Sequence, residues 1–199
     1  MILLKTEILK AQEAGFIVIE PWLPNLFLGP NSYDVHLAPF LATYKEDILD
    51  AKKENELEYH EIPEEGFLLL PNKLYLGSTL EYTETREFIP EIDGVSSTAR
   101  LGIDVHKTAA RGNIGFKGTW TLEITVAQAV RVYAGMPIGQ LTYFKPHGNP
   151  HYPSNKKEND SYAGQIGLPV ASQMYKKVIP PKELEDYLEE LKNKFREKL

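Results

Sequence analysis

The chain has 199 residues, of which 42% are hydrophobic and 25% charged, the ordinary balance of a globular protein with one full core, or one domain plus a short appendage. Cysteine is absent, which excludes disulfides, thiol nucleophiles and the paired-cysteine sites of zinc-dependent nucleobase deaminases. The net charge of −6 argues against a nucleic acid polymer as partner, since such binding needs a basic footprint, but it leaves room for a small phosphorylated ligand held by a few local groups.

The opening residues have no signal-peptide core, and no run approaches the roughly 18 apolar residues of a membrane span, so a cytoplasmic protein is expected. Residues 4–14 read as a short helix stopped by Gly15. Strand-like runs follow at 16–19, 32–37, 67–70 and 73–76, then at 119–126, 130–133 and 138–144. Gly and Pro punctuate them closely, which favours an antiparallel β-barrel or sandwich over repeated βαβ units. Residues 45–58 carry both charge signs and read as an exposed excursion. Residues 146–167 form a long polar stretch, either a lid over a ligand or a plain arm. After Pro180-Pro181, Leu184, Leu188, Leu191 and Phe195 make one apolar face of a helix. The expected organisation is a domain over 1–179 and an amphipathic C-terminal helix over 180–199.

Two stretches hold candidate chemistry. In Ile92–Gly102, Ser96 or Ser97 can cap a short helix, and Arg100 lies one turn in, a possible anion cradle. The bland reading is a capped helix with Arg100 in a surface ion pair. In Thr119–Val126, alternation puts Trp120, Leu122, Ile124 and Val126 on one face, with Glu123 on the opposite, threonine-lined face. There Glu123 is decoration if the face meets solvent and a candidate general acid/base if it lines a pocket. His147 and His151 are four apart, but Gly148 and Pro150 rule out the helix that would pair them, so no metal site is expected there.

Five blocks in order, Gly29–Leu37, Asp93–Gly102, Val105–Ala109, Gly115–Ile124 and Ala134–Leu141, resemble the dCTP deaminase branch of the dUTPase superfamily. The resemblance implies a mainly β fold, a distorted β-barrel or jelly roll of the dUTPase type with short helices and an added C-terminal helix. It implies a homotrimer with active sites near subunit contacts, and hydrolytic deamination of a deoxycytidine nucleotide in pyrimidine deoxynucleotide metabolism. No protein-bound metal is implied; Mg²⁺ arrives with the nucleotide phosphates. Residue by residue, Glu123 matches the catalytic glutamate that relays protons between water, ring nitrogen and leaving amino group. Ser96 and Arg100 match residues that position the water and stabilise charge. Ser97, Ala109, Arg111, Asn113, Tyr162 and Gln165 are the nucleotide-binding candidates, Ala109 through its backbone. Asp34 and Gln140 are read as structural.

Three positions depart from the family pattern. Val95 stands where an Arg usually precedes the Ser-Ser pair, and Ser161 where a Lys usually precedes the tyrosine of the C-terminal block. Both weaken the phosphate end, leaving Arg111, Lys156 or Lys157 as replacements. Asn113 stands where an aspartate usually orients the hydrolytic water of dUTPases, and an amide is no carboxylate base. Two competing readings therefore accompany the deaminase: a dUTP pyrophosphatase or bifunctional enzyme, and a non-catalytic nucleotide-binding homologue.

Overall fold

The computed structural model describes residues 1–148 and 162–196. In chain order the elements are α1 (Lys5–Glu13), β1 (Ile17–Glu20), α2 (Pro24–Phe27), β2 (Tyr33–His36), β3 (Phe40–Tyr44), β4 (Leu57–Glu61), β5 (Phe67–Leu69), β6 (Tyr75–Ser78), β7 (Tyr82–Thr85) and β8 (Ile89–Gly94). There follow α3 (Ser96–Ala99), β9 (Ile103–Asp104), β10 (Lys117–Gly118), β11 (Thr121–Val126), β12 (Val130–Val132), β13 (Pro137–Phe144) and α4 (Lys182–Arg196). The pairings of β1 and β10 with β7, of β6 and β9 with β11, of β5 with β12, of β2 and β8 with β13, and of β3 with β6 are all antiparallel.

The strands make four sheets, ordered β1-β7-β10, β4-β3-β6-β11-β9, β12-β5 and β2-β13-β8. The expected mainly β architecture holds, but these sheets do not close into one continuous barrel ladder. By contacts the chain divides into two compact units, Met1–Thr43 with Leu57–Val170, and Tyr44–Glu56 with Ala171–Leu199.

The first unit holds the core. Alternation in β11 buries Leu122, Ile124 and Val126, against which Ile17, Ile19, Tyr33, Leu37, Leu41 and Leu141 pack. Burying one such aliphatic side chain is worth about 1.5–3 kcal/mol, so the period-two pattern itself drives these strands to pair. At Gly77 on β6 an added Cβ would lie 2.9 Å from Ile124 Cδ1, so a larger residue there would have to displace the side chains of Ile124, Leu37 and Leu41.

β7 was not foreseen, because its inward residues are polar. Thr83 and Thr85 are buried, and their hydroxyls find partners: Trp120 Nε1 donates to Thr83 Oγ1 at 3.0 Å, and Thr85 donates to the Phe88 carbonyl at 2.7 Å. Apolar period-two counting overlooks a strand whose core face is threonine. Next to it, Glu81 is buried and binds His36 twice, accepting from the backbone N–H at 2.8 Å and meeting Nδ1 at 2.6 Å.

In the second unit the charged excursion is stapled rather than loose. Asn55 accepts from the Asp50 N–H and donates to the Asp50 carbonyl, each at 3.1 Å, and Lys45 bonds Glu56 at 2.7 Å. Its last two expected residues, Leu57 and Glu58, instead begin β4, an edge strand. The tail forms α4 as its apolar spacing predicts.

Candidate active site

β11 carries the central carboxylate. Leu122 and Ile124 anchor the strand inward, so Glu123 projects from the opposite face with Thr121 and Thr125, all three half-buried. That face is flanked at both ends. Beyond β9 the chain turns back over it: the Lys107 N–H donates to Glu123 Oε2 at 3.2 Å, and Lys107 Nζ donates to Thr125 Oγ1 at 2.7 Å. At the other end the segment from Gly164 to Val170 is sewn on. Gln165 Oε1 accepts from Thr121 Oγ1 at 3.0 Å, its Nε2 donates to the Thr119 carbonyl at 2.6 Å, and its carbonyl accepts from the Thr119 N–H at 3.0 Å. The Val170 N–H donates to Thr121 Oγ1 at 3.2 Å.

Glu123 therefore sits between the 105–110 loop and the 164–170 segment, with Oε1 accepting no hydrogen bond among the described residues. A carboxylate so placed is steered by one backbone donor and keeps a free oxygen for a water or a ring nitrogen, the geometry a proton relay needs.

The Ser96–Arg100 turn is reached through β9, which pairs with the far end of β11 at Thr125–Asp104 and Val126–Ile103. Gly102, at φ +78°, makes the link: an added Cβ would lie 2.9 Å from Ala127 Cβ. Here the capping expectation fails. The N-cap is Val95 with extended backbone, no side chain caps α3, and the hydroxyl used locally is Thr98, donating to the Val95 carbonyl at 2.9 Å. Ser96, Ser97 and Arg100 are left exposed. Within the single chain no hydrogen bond or ion pair joins Ser96 or Arg100 to Glu123 among the described residues.

Between the end of β8 and β9 lies a cavity of about 370 Å³, whose polar lining includes Asp93, Asp104, His106 and Gln140. His106 Nε2 lies 3.2 Å from Asp93 Oδ1, while its buried Nδ1 has no partner among the described residues. Gln140 accepts from Ser32 Oγ at 2.9 Å and donates to the Gly94 carbonyl at 3.4 Å, so it ties β2, β8 and β13 together.

The remaining candidates are spread out. Ala109 and Asn113 are exposed, the Asn113 carbonyl closing a turn by accepting from the Phe116 N–H at 3.1 Å. Arg111 donates from Nε and Nη2 to Glu91 Oε2 at 3.0 and 2.8 Å, so its guanidinium is occupied by a carboxylate in the lone chain. Tyr162 is exposed. His151, Lys156, Lys157 and Ser161 lie outside the described residues. Among the described residues no three His, Cys, Asp or Glu side chains gather in a way that could hold a metal ion, and no helix is long and apolar enough to cross a membrane. Lys107 was missed as a contact of Glu123; because it uses its backbone N–H, no residue type could have flagged it.

On this mainly β chain, the lone carboxylate on the polar face of β11, flanked by two loops, is the candidate site and is suited to a small ligand. The comparisons narrow this to one family. A model described as dCTP deaminase-like matches residues 2–146. A "dCTP deaminase, dUMP-forming" from Clostridium acetobutylicum is 47% identical over 145 residues, 72% of this chain and 83% of the relative. One of the same description from Leptospira biflexa is 49% identical over 148 residues, 74% of this chain and 84% of the relative. Among solved structures, a 2'-deoxycytidine 5'-triphosphate deaminase from Agrobacterium tumefaciens superposes with a TM-score of 0.58 at 18% identity. That superposition covers 73% of this chain and about half, 48%, of the solved one, and it bears on fold alone. The chain belongs to the dCTP deaminase-like family.

Proposed function

We propose that this protein deaminates dCTP hydrolytically, with Glu123 as the proton relay. The observation that carries the reading is the placement of Glu123 on the polar face of β11, held by the Lys107 N–H between two flanking segments. Glu123 takes a proton from water as the water oxygen attacks C4 of the cytosine and delivers it to N3; it then takes the proton of the new C4 hydroxyl and delivers it to the amino group as the C4–N bond breaks. Ammonia leaves, and a 4-carbonyl remains. Such a relay is worth roughly 10²–10⁴ in rate, so the rest comes from charge stabilisation and positioning. The exposed backbone around Ala109, next to the loop that holds Glu123, suits recognition of the pyrimidine edge. Mg²⁺ enters with the triphosphate, whose charge Arg111 meets after exchanging Glu91 for phosphate.

Ser96 and Arg100 present exposed polar groups on a turn that makes no hydrogen bond or ion pair to Glu123 of the same chain among the described residues. We assign them to the Glu123 site of a neighbouring subunit in a homotrimer, as the family resemblance implies. The test scores ammonia and pyrophosphate separately with dCTP, dCMP, CTP and dUTP. Glu123→Gln is expected to lower ammonia release at least a hundredfold with the fold intact; release at the wild-type rate would reject the role. Co-assembled Glu123→Gln and Arg100→Ala subunits should recover part of the activity that each variant lacks alone, since a mixed contact holds one intact pair.

A second step, release of pyrophosphate to give dUMP, is favoured by the descriptions of the relatives as dUMP-forming. Asn113 weighs against it, because an amide cannot act as the base for a hydrolytic water. If the two are linked, Asn113→Asp raises pyrophosphate release from dUTP while leaving ammonia release from dCTP within about twofold.

A further inference from the structure

The helix α4 carries an apolar stripe left open to solvent. Leu184 is 45% exposed, Tyr187 56%, Leu188 39% and Phe195 53%, with Leu191 half-buried between them. The steps of four, three and four along Leu184, Leu188, Leu191 and Phe195 are those of a coiled-coil seam, in which two helices bury one stripe each. Charge is sorted along the same helix. After Lys182 at its start, Glu185, Asp186, Glu189 and Glu190 lie in its first part, and Lys192, Lys194 and Arg196 in its last. The sorting suits the helix's own dipole, but a dipole gives no reason for an uncovered stripe.

We propose that α4 pairs antiparallel with α4 of a second copy of this chain. Parallel pairing would lay the acidic part beside the acidic part and the basic part beside the basic part. Antiparallel pairing lays each acidic part beside a basic one, twice by symmetry. With the stripe as seam, Leu188 faces Leu191 of the second copy, Leu184 faces its Phe195, and Glu185 flanks its Lys192. In the lone chain Lys192 is held by Glu189 one turn back, an exposed ion pair that is readily exchanged. The stripe supplies the attraction, and the charges set direction and exclude the parallel register. A 15-residue helix spans only about 22 Å, so one pair alone is weak; several pairs between assembled particles act together. An antiparallel pair has a two-fold axis across it and cannot be satisfied within a three-fold ring. In a three-fold assembly the pairing therefore joins two particles and doubles the mass.

The test is the molar mass of the full chain by light scattering across micromolar concentrations, with circular dichroism as a check on folding. The wild type is expected at twice the mass of Leu188→Glu/Leu191→Glu. Glu185→Lys, at an exposed polar position, is expected to weaken doubling at least tenfold by setting a second ammonium group against Lys192 of the second copy. Glu185→Lys/Lys192→Glu on one chain is expected to restore it, which a role in the helix dipole alone would not do. Equal mass for wild type and the Leu188→Glu/Leu191→Glu variant would overturn the proposal and leave the stripe to the chain's own body or to another protein. Failure of the charge swap to restore doubling would overturn the antiparallel arrangement.

Discussion

Two buried or half-buried acids set the behaviour of the scaffold at the level of single side chains. Glu81 is 1% exposed and spends both oxygens on His36, whose ring also packs on Phe27 at 4.2 Å. Removing Glu81 leaves two buried His36 groups without a partner, which costs about 1–3 kcal/mol each. Glu81→Ala should lose stability of that order in urea titration, more than Glu123→Gln, whose side chain is half-buried and holds one bond. Asp34 is the opposite case: burial pushes its carboxyl above the usual value, only partly offset by His36. An acid whose folded pKa is raised favours folding most below its unfolded value, near 3.8, and that contribution is lost as pH rises through the folded value. Asp34→Asn should therefore be the more stable protein at pH 7, with the difference shrinking toward pH 3. Denaturant midpoints at the two pH values check the sign.

Among the elements, β11 was legible because both faces obey one rule: Leu122, Ile124 and Val126 are apolar throughout, and Glu123 stands alone on the other side. β7 and β10 were not, since Thr83, Thr85 and Gly118 are buried through hydrogen bonds and close approach rather than through apolar surface. The cap of α3 was misread for a related reason. Ser96, Ser97 and Thr98 all own a hydroxyl, and only the backbone path decides which one turns inward. Gly118 shows how tightly the 164–170 segment is fixed to β10 and β11. It has φ +136°, and an added Cβ would lie 2.6 Å from the Gln165 carbonyl oxygen. Gly118→Ala should detach this segment, visible as faster amide exchange at Gly164 and Gly167. Gln165→Ala should give a milder form of the same loss, since the backbone bonds to Thr119 remain.

For the chain as a whole, the family match over 2–146 falls largely on the first compact unit, which runs to Val170. The elements proposed to carry the chemistry all belong to that unit, so changes within Ala171–Leu199 should leave dCTP turnover per intact site nearly unchanged. Steady-state rates of the Leu188→Glu/Leu191→Glu variant, set beside its mass, measure that separation directly. The sequence could place the tail helix, because amphipathic spacing is local, but could not reveal that no hydrogen bond or ion pair joins Glu123 to Ser96 or Arg100 within one chain among the described residues. That fact depends on how β9 and β11 run in space.

Trp120 lies three positions before Glu123, buried, its indole bonded to Thr83 and tilted against Phe116 at 4.5 Å. The second tryptophan, Trp22, stacks on Tyr33 at 5.1 Å. The molecule thus contains two tryptophan fluorophores, one just before the strand that carries Glu123 and one at a separate aromatic stack. An inactive variant that keeps a blue-shifted emission maximum has lost chemistry alone, whereas a red shift reports water reaching the indole.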